Sequence, residues 1–210
     1  MSTWTIIRAA GVGAYLMLFA SVAWGLASTT APFGKRFSKA SASTLHQTMS
    51  TVGLILLGLH LLALFADTFM PFSIAELTIP MASEYRPVAV TFGILAMYAM
   101  VFVIVASWLR SRIGAVWWRR THLVAVPTFV LALVHGVFSG TDSREPWMFW
   151  TYVATGLIVL FLVVVRGLTA GYRPERAPRP ERPASTAAAE RPATHAPVVP
   201  ATAAVHAAKS

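Results

Sequence analysis

The chain has 210 residues, of which 56% are hydrophobic and 12% are charged, and its mean hydropathy is +0.63. Because a soluble domain carries about 25% charged residues, this composition predicts a membrane protein in contact with lipid. The absence of cysteine excludes disulfides, thiolate-bound iron–sulfur clusters, thiolate zinc sites and covalent c-type haem attachment. The net charge of +9 is spread over segment ends and the C-terminal region, which fits topology signals and predicts no nucleic-acid partner.

Five apolar runs follow one another along the chain, each close to the roughly 20 residues that a helix needs to cross a bilayer. They occupy residues 5–27, 45–65, 88–109, 121–138 and 148–165. This pattern predicts an all-α fold, an integral membrane helical bundle with five transmembrane helices, as one domain over residues 1–170. Residues 171–210 are rich in Pro, Ala and Arg and contain no Phe, Trp, Leu or Ile, so we expect a disordered C-terminal tail there.

The charged residues between the runs predict the orientation of the helices. The segments after the first and third runs are basic, with Lys35, Arg36, Lys39, Arg110, Arg112, Arg119 and Arg120. The segments after the second and fourth runs hold all the acidic residues that precede residue 171, namely Asp67, Glu76, Glu84, Asp142 and Glu145. Since cytoplasmic segments carry the Lys and Arg excess, the N-terminus is expected outside the cell membrane and the C-terminus in the cytoplasm.

Four histidines lie in two of the apolar runs, two in each. His46 and His60 are 14 positions apart in the second run, and His122 and His135 are 13 positions apart in the fourth. Ionisable residues inside a membrane helix are costly and are therefore candidates for function. Because the two helices are expected to run in the same direction, His46 should meet His122 near the cytoplasmic side, and His60 should meet His135 nearer the outer side.

This pairing predicts two b haems, each bound by two histidines, at levels about 21 Å apart along the helix axis. The helical angles agree for His46 and His60, which lie within about 40° of each other. In a straight helix His122 and His135 would point about 140° apart, so we expect a kink or altered winding, with Pro127 between them as its candidate cause. Glycines at 53, 58 and 136 are candidates for close approach of a flat macrocycle to the backbone.

Three other interpretations of the histidines are open. Any single intramembrane histidine can serve only as a hydrogen-bonding residue between helices. A single metal ion is a second use, although levels about 21 Å apart cannot share one ion. A proton relay is the third, and it would need intramembrane carboxylates, whereas none of the five runs contains Asp or Glu.

Two stretches around the histidines resemble a known family. LHQTMSTVGLILLGLH at 45–60 and WRRTHLVAVPTFVLALVHG at 118–136 are similar to the ferric reductase-like transmembrane domain family, as are IRAAGVGAY at 7–15 and the GTDS after the fourth run. This family includes the membrane halves of ferric reductases and NADPH oxidases, and the haem subunit of a periplasmic methionine sulfoxide reductase system. The resemblance covers about residues 5–168 and implies the same two haem pairs.

The resemblance also implies electron transfer across the membrane to an acceptor on the outer face, whose identity is open. Many members of the family carry a fused flavin and nicotinamide domain, but this sequence has no G-x-G-x-x-G motif. We therefore expect the electron donor to be a separate cytoplasmic flavoprotein or a membrane quinol. The chain is then either a ferric reductase-like oxidoreductase subunit or a non-catalytic relay or assembly subunit of a partner oxidoreductase.

Basic residues near the ends of the runs are candidate partners for haem propionates, which need charge-assisted hydrogen bonds. Lys39, Arg119 and Arg120 suit the inner haem, and Arg8 or Arg86 suits the outer one. Each of these residues can equally be a simple topology signal.

Overall fold

The computed structural model describes residues 2–28 and 38–170, and within these ranges the ordered elements are all helical. The predicted tail at 171–210 lies outside the described residues, as do Lys35, Arg36 and the side chain of Lys39. The helices are α1 (Thr3–Ser28), α2 (Lys39–Ala66), α3 (Ile74–Thr78), α4 (Pro87–Trp108), α5 (Arg110–His122), α6 (Ala125–Ser139) and α7 (Pro146–Ala170), with one 3₁₀ turn at Thr141–Arg144.

The helix lengths confirm the predicted class, a multi-pass membrane bundle. Four helices, α1, α2, α4 and α7, are each long and apolar enough to cross a membrane, and α5 with α6 makes a fifth span if this bent pair is counted as one. Some helices are longer than the apolar runs predicted from the sequence, and α2 is an example. Thus α2 begins at Lys39 because Ser38 caps it, its side chain accepting a hydrogen bond from the backbone N–H of Ser41.

The fourth predicted span differs from a single helix over 121–138. The chain bends by 41° between α5 and α6, so His122 ends one helix and His135 lies in the next. Around the bend the N–H groups of Leu123 and Val124 donate to carbonyls three residues back, which tightens the winding. Pro127 explains the position of the bend, because a proline ring collides with the carbonyl four residues earlier, here that of Leu123.

The basic segment that follows the third span was expected to be a loop, and it is instead helical as α5. One residue inside it, Gly114, departs from helical geometry with φ of 78°, a left-handed conformation that glycine adopts at little cost. The chain therefore departs from a straight helix at Leu109, at Gly114 and at the bend after His122.

Aromatic side chains from three helices form the main core. The Tyr15 ring of α1 stacks on Phe129 of α6 with centroids 5.8 Å apart, and meets Tyr152 of α7 edge-on at 5.3 Å. The Tyr15 hydroxyl also lies 2.5 Å from Oγ1 of Thr155. Thr155 donates its own hydroxyl proton to the backbone within α7, so the Tyr15 hydroxyl is the donor of this bond.

The segment between α2 and α4 covers one end of the bundle. Its short helix α3 starts with a capping box, in which Ser73 and Glu76 exchange hydrogen bonds. Hydrogen bonds from the backbone N–H and hydroxyl of Ser73 lower the pKa of the Glu76 carboxyl, which keeps this cap charged. Phe72 of the same segment packs on Val90 and Ile94 of α4, and this contact attaches the segment to the membrane helices.

The bond between Tyr15 and Thr155 should measurably couple α1 to α7. In a double-mutant cycle with Tyr15→Phe and Thr155→Val, we expect a coupling of about 0.6–1.7 kcal/mol in the free energy of unfolding in detergent, the range for hydrogen bonds between membrane helices. Thr169→Val is the matched control, because the Thr169 hydroxyl bonds within its own helix, and its effect should add to that of Tyr15→Phe. A coupling near zero for the first pair would contradict the assigned bond.

Candidate cofactor site

The four membrane histidines come together in two pairs, at two levels of the bundle. His46 of α2 and His122 at the end of α5 have ring centroids 5.8 Å apart, with an angle of 66° between the ring planes. His60 of α2 and His135 of α6 both line a cavity of about 240 Å³ between the helices. These are the pairs that the sequence predicts.

Three of the four histidines hydrogen-bond through Nδ1 to a carbonyl of the neighbouring helix. The Nδ1 atom of His46 lies 3.1 Å from Ser21 O, that of His60 lies 2.9 Å from Ile7 O, and that of His135 lies 2.8 Å from Ala89 O. A carbonyl oxygen can only accept, so the proton of each ring is on Nδ1. Nε2 then carries a free lone pair, the arrangement found in metal-ligating histidines whose other nitrogen is held by a carbonyl.

A glycine follows each of these carbonyl residues by four positions, one helical turn later. Gly11 follows Ile7, Gly25 follows Ser21, and Gly93 follows Ala89, and we call each combination a carbonyl–glycine pair. A Cβ atom at Gly93 would lie 2.6 Å from Nδ1 of His135, one at Gly11 would lie 3.0 Å from His60, and one at Gly25 would lie 3.5 Å from His46. At the first two positions, glycine is therefore what lets the imidazole reach the backbone.

The spacing of these glycines in the sequence is a further signal of how α1 pairs with α2. Gly11 and Gly25 are 14 residues apart, as are the two histidines of α2 that they face. The glycines singled out from the sequence have other neighbours. Gly53 faces Met17 of α1, Gly136 faces the Tyr152 hydroxyl, and a Cβ at Gly58 would meet no atom within 4 Å.

His122 is held differently from the other three histidines. Its Nδ1 atom is buried and has no hydrogen-bond partner among the described residues. Its ring instead lies against Trp118, with centroids 5.2 Å apart and an angle of 30° between the planes. The Trp118 indole donates to Oγ of Ser107 in α4 at 3.4 Å, so contacts among rings replace the carbonyl–glycine pair here.

The two arginines predicted to serve the outer haem, Arg8 and Arg86, already have partners within the protein. Arg8 lines the cavity of His60 and His135, but it forms a two-bond ion pair with Asp142, with Nε–Oδ2 at 2.8 Å and Nη2–Oδ1 at 2.5 Å. Arg86 donates to the Phe138 carbonyl, outside that lining.

On the other side of the bundle, Arg119 and Arg120 are exposed near the end of α5. Arg120 lies over the Trp117 ring at 5.2 Å from its centroid. Both arginines are within three positions of His122 in the sequence, which keeps them close to the pair of His46 and His122. The side chain of Lys39 is outside the described residues.

The donor set suits two haems bound by two neutral imidazoles each. Imidazoles that share one metal ion, with bonds of about 2 Å each, have ring centroids about 6 Å apart, close to the spacing of His46 and His122. Histidine is an established axial ligand of haem iron. In three of the four rings Nε2 has a free lone pair that can bind a metal ion. The walls around His60 and His135 are mainly apolar.

Comparison with family models, curated proteins and solved structures finds no match for this chain. The resemblance to the ferric reductase-like family therefore stays a prediction.

Alanine at the three glycines should have graded effects set by the space at each. Gly93→Ala should destabilise the protein by about 1–3 kcal/mol, because its Cβ displaces His135. Gly11→Ala should cost less and Gly25→Ala least, in line with their Cβ distances. The measurement is thermal unfolding of the purified protein in detergent.

Gly58→Ala and Gly167→Ala are the controls, since both glycines are helical and a Cβ at either would meet no atom within 4 Å. Removing a helical glycine there should stabilise by about 0.5–1 kcal/mol. If Gly93→Ala stabilised the protein as much as Gly58→Ala, the carbonyl–glycine pair would have no role in holding His135.

Proposed function

We propose that this protein transfers electrons across the cell membrane through two b haems. His46 and His122 bind the inner haem, and His60 and His135 bind the outer one. The observation that carries the proposal is the set of three Nδ1–carbonyl hydrogen bonds, because each fixes an imidazole with its Nε2 atom free to bind a metal. The N-terminus lies outside, the C-terminus lies in the cytoplasm, and electrons move outward.

The protein residues supply binding, orientation and a dry environment. A bound haem with two histidine ligands supplies reversible one-electron transfer and has no open coordination position for a substrate. The carbonyls of Ile7 and Ala89 hold the rings of His60 and His135 in one tautomer and one orientation. The apolar walls of their cavity exclude water from the space between the two rings and strengthen the hydrogen bonds from Nδ1 to the two carbonyls.

Charged residues near each level are the proposed propionate partners. Lys39, Arg119 and Arg120 serve the inner haem, and Arg8 or Arg86 serves the outer one. Arg8 already forms two bonds to Asp142 at the edge of this cavity, so it would bind a propionate only with its remaining N–H groups.

The donor and the acceptor are separate molecules in this proposal. A cytoplasmic flavoprotein or a membrane quinol reduces the inner level, and an acceptor on the outer face takes electrons from the outer level. This activity is that of a ferric reductase-like oxidoreductase subunit.

The cavity lining favours a second form of the same function. Besides the two neutral histidines, Arg8 and Asp142 are the acidic and basic side chains in its described lining, and they form an ion pair with each other. The lining then offers no uncompensated charge to a small ionic substrate. A non-catalytic relay or assembly subunit, which passes electrons to a partner oxidoreductase, fits this feature better than an enzyme with its own substrate pocket.

Histidine replacement tests the proposed pairs. The purified protein should contain about two b haems per chain by pyridine haemochrome assay, released by acid extraction because no cysteine attaches them. His60→Leu and His135→Leu should each remove the same spectral component, and the double variant should lose little more, since ligands of one iron act as a unit.

His195→Leu with His206→Leu is the matched control, because these two histidines lie outside all five apolar runs. It should keep both spectral components. The proposal is wrong if about one haem is bound while all four membrane histidines are intact, or if His60→Leu and His135→Leu remove different components.

A further inference from the structure

Helix α5 combines basic residues with exposed aromatic ones. It contains Arg110, Arg112, Arg119 and Arg120 and no acidic residue. Large apolar side chains beside these arginines are exposed, with Trp117 at 62%, Val116 at 56% and Trp108, two residues before the helix, at 81%. Two of the arginines lie over indole rings, Arg110 over Trp118 at 4.2 Å and Arg120 over Trp117 at 5.2 Å.

No fully buried residue anchors α5 in the bundle. The chain departs from regular helix inside it at Gly114 and just after it at Leu123 and Val124. The half-buried Trp118 links α5 to α4 through its bond to Ser107.

His122, the proposed inner ligand, is the last residue of this helix. It is also the one membrane histidine whose Nδ1 atom has no partner among the described residues, so no backbone carbonyl fixes its ring. The position of His122 therefore follows the position of α5. Whatever holds α5 against the bundle also determines how well His122 faces His46.

We propose that α5 binds anionic phospholipid at the cytoplasmic membrane surface, and that this binding positions His122. The positioning of His122 and the cytoplasmic location of α5 rest on the proposed function, whereas the binding of anionic lipid by α5 does not. Arginine guanidinium groups bind phosphate by paired hydrogen bonds, and tryptophan favours the headgroup level of a bilayer. Helices with this combination of basic and aromatic residues lie in the membrane interface and are attracted by anionic lipid.

Two features favour lipid over an acidic protein as the occupant of this surface. First, α6 has 15 residues and spans about 22 Å, less than the hydrocarbon core of about 30 Å. The last turn of α5, with His122, is therefore needed to complete the span, which brings Arg119 and Arg120 to the membrane boundary. Second, the exposed side chains of Trp108, Val116 and Trp117 need an apolar environment next to the charged one, and lipid tails next to headgroups supply both.

Spin-labelled lipids test the binding directly. In vesicles containing the full-length protein, electron paramagnetic resonance of spin-labelled phosphatidylglycerol and phosphatidylcholine measures the preference of the protein surface for each lipid. We expect a preference for phosphatidylglycerol that falls about two- to fivefold in Arg112→Gln, as expected for one arginine near a charged surface. Raising the salt concentration should also reduce it.

Arg144→Gln is the matched control, since it removes one exposed arginine from the 3₁₀ turn that precedes α7. It should leave the preference unchanged. Equal binding of both lipids by the unmodified protein, or an equal loss in Arg144→Gln, would overturn the proposal. So would Arg112-dependent binding of soluble polyglutamate without a lipid preference, which would indicate an acidic protein partner.

The effect on His122 is tested by the inner haem, with the outer haem as internal control. In nanodiscs of phosphatidylcholine alone, transfer of the inner haem to apomyoglobin should be several-fold faster than in nanodiscs with phosphatidylglycerol, and its low-spin resonance signal should be broader. Arg112→Gln with phosphatidylglycerol should resemble the unmodified protein without it. The outer haem should not change.

The two proposals fail in distinguishable ways. If the protein binds no haem but shows the α5-dependent lipid preference, the electron-transfer function is wrong and the lipid site stands. If two haems are bound and lipid changes neither the release nor the signal of the inner one, lipid does not position His122.

Discussion

The bundle depends on one constraint: an imidazole placed among apolar helices is costly unless its Nδ1 atom finds a hydrogen-bond partner, as it does in three of the four membrane histidines. Backbone carbonyls in a helix already accept one bond, but each has a second lone pair that a neighbouring side chain can use. Reaching it requires that the next turn of that helix have no side chain in the way. Gly11 and Gly93 meet this requirement at positions where a Cβ would press on the imidazole, whereas a Cβ at Gly25 would make ordinary contact with His46. The carbonyl bonds and these two glycines therefore help to determine how α1 lies on α2 and how α4 lies on α6.

This constraint also sets the register of the helices. In α1, Ile7 and Ser21 are 14 residues apart, and they hold His60 and His46 of the antiparallel helix α2, which are separated by the same interval. A one-residue shift of α1 along α2 would break both bonds together and would bring a Cβ against at least one imidazole. The aromatic contacts of Tyr15 with Phe129 and Tyr152 then attach α6 and α7 to the helix pair so defined.

The sequence predicts the fold class and the histidine pairs, because hydropathy and the spacing of rare intramembrane histidines are strong local signals. It also predicts that the winding must change between His122 and His135, but not that the bend precedes Pro127 and gives His122 to a separate helix. The helical state of α5 is hidden because its arginines look like those of any cytoplasmic loop. The roles of Gly11, Gly25 and Gly93 are missed because they become visible only when the partner helix is aligned.

The asymmetry between the two levels has its origin in α4. Gly93 is the one glycine of this helix, so α4 can form a single carbonyl–glycine pair, and His135 uses it. If α6 continued straight back to His122, the side chain of His122 would point about 140° away from that of His135. With the bend after His122, the ring of this residue lies next to that of His46, but its Nδ1 atom has no carbonyl partner among the described residues. One level is thus held by carbonyls of the spanning helices α1 and α4, whereas at the other level His122 ends the bent helix α5 without such a bond, and that is where surroundings outside the chain would act in our proposal.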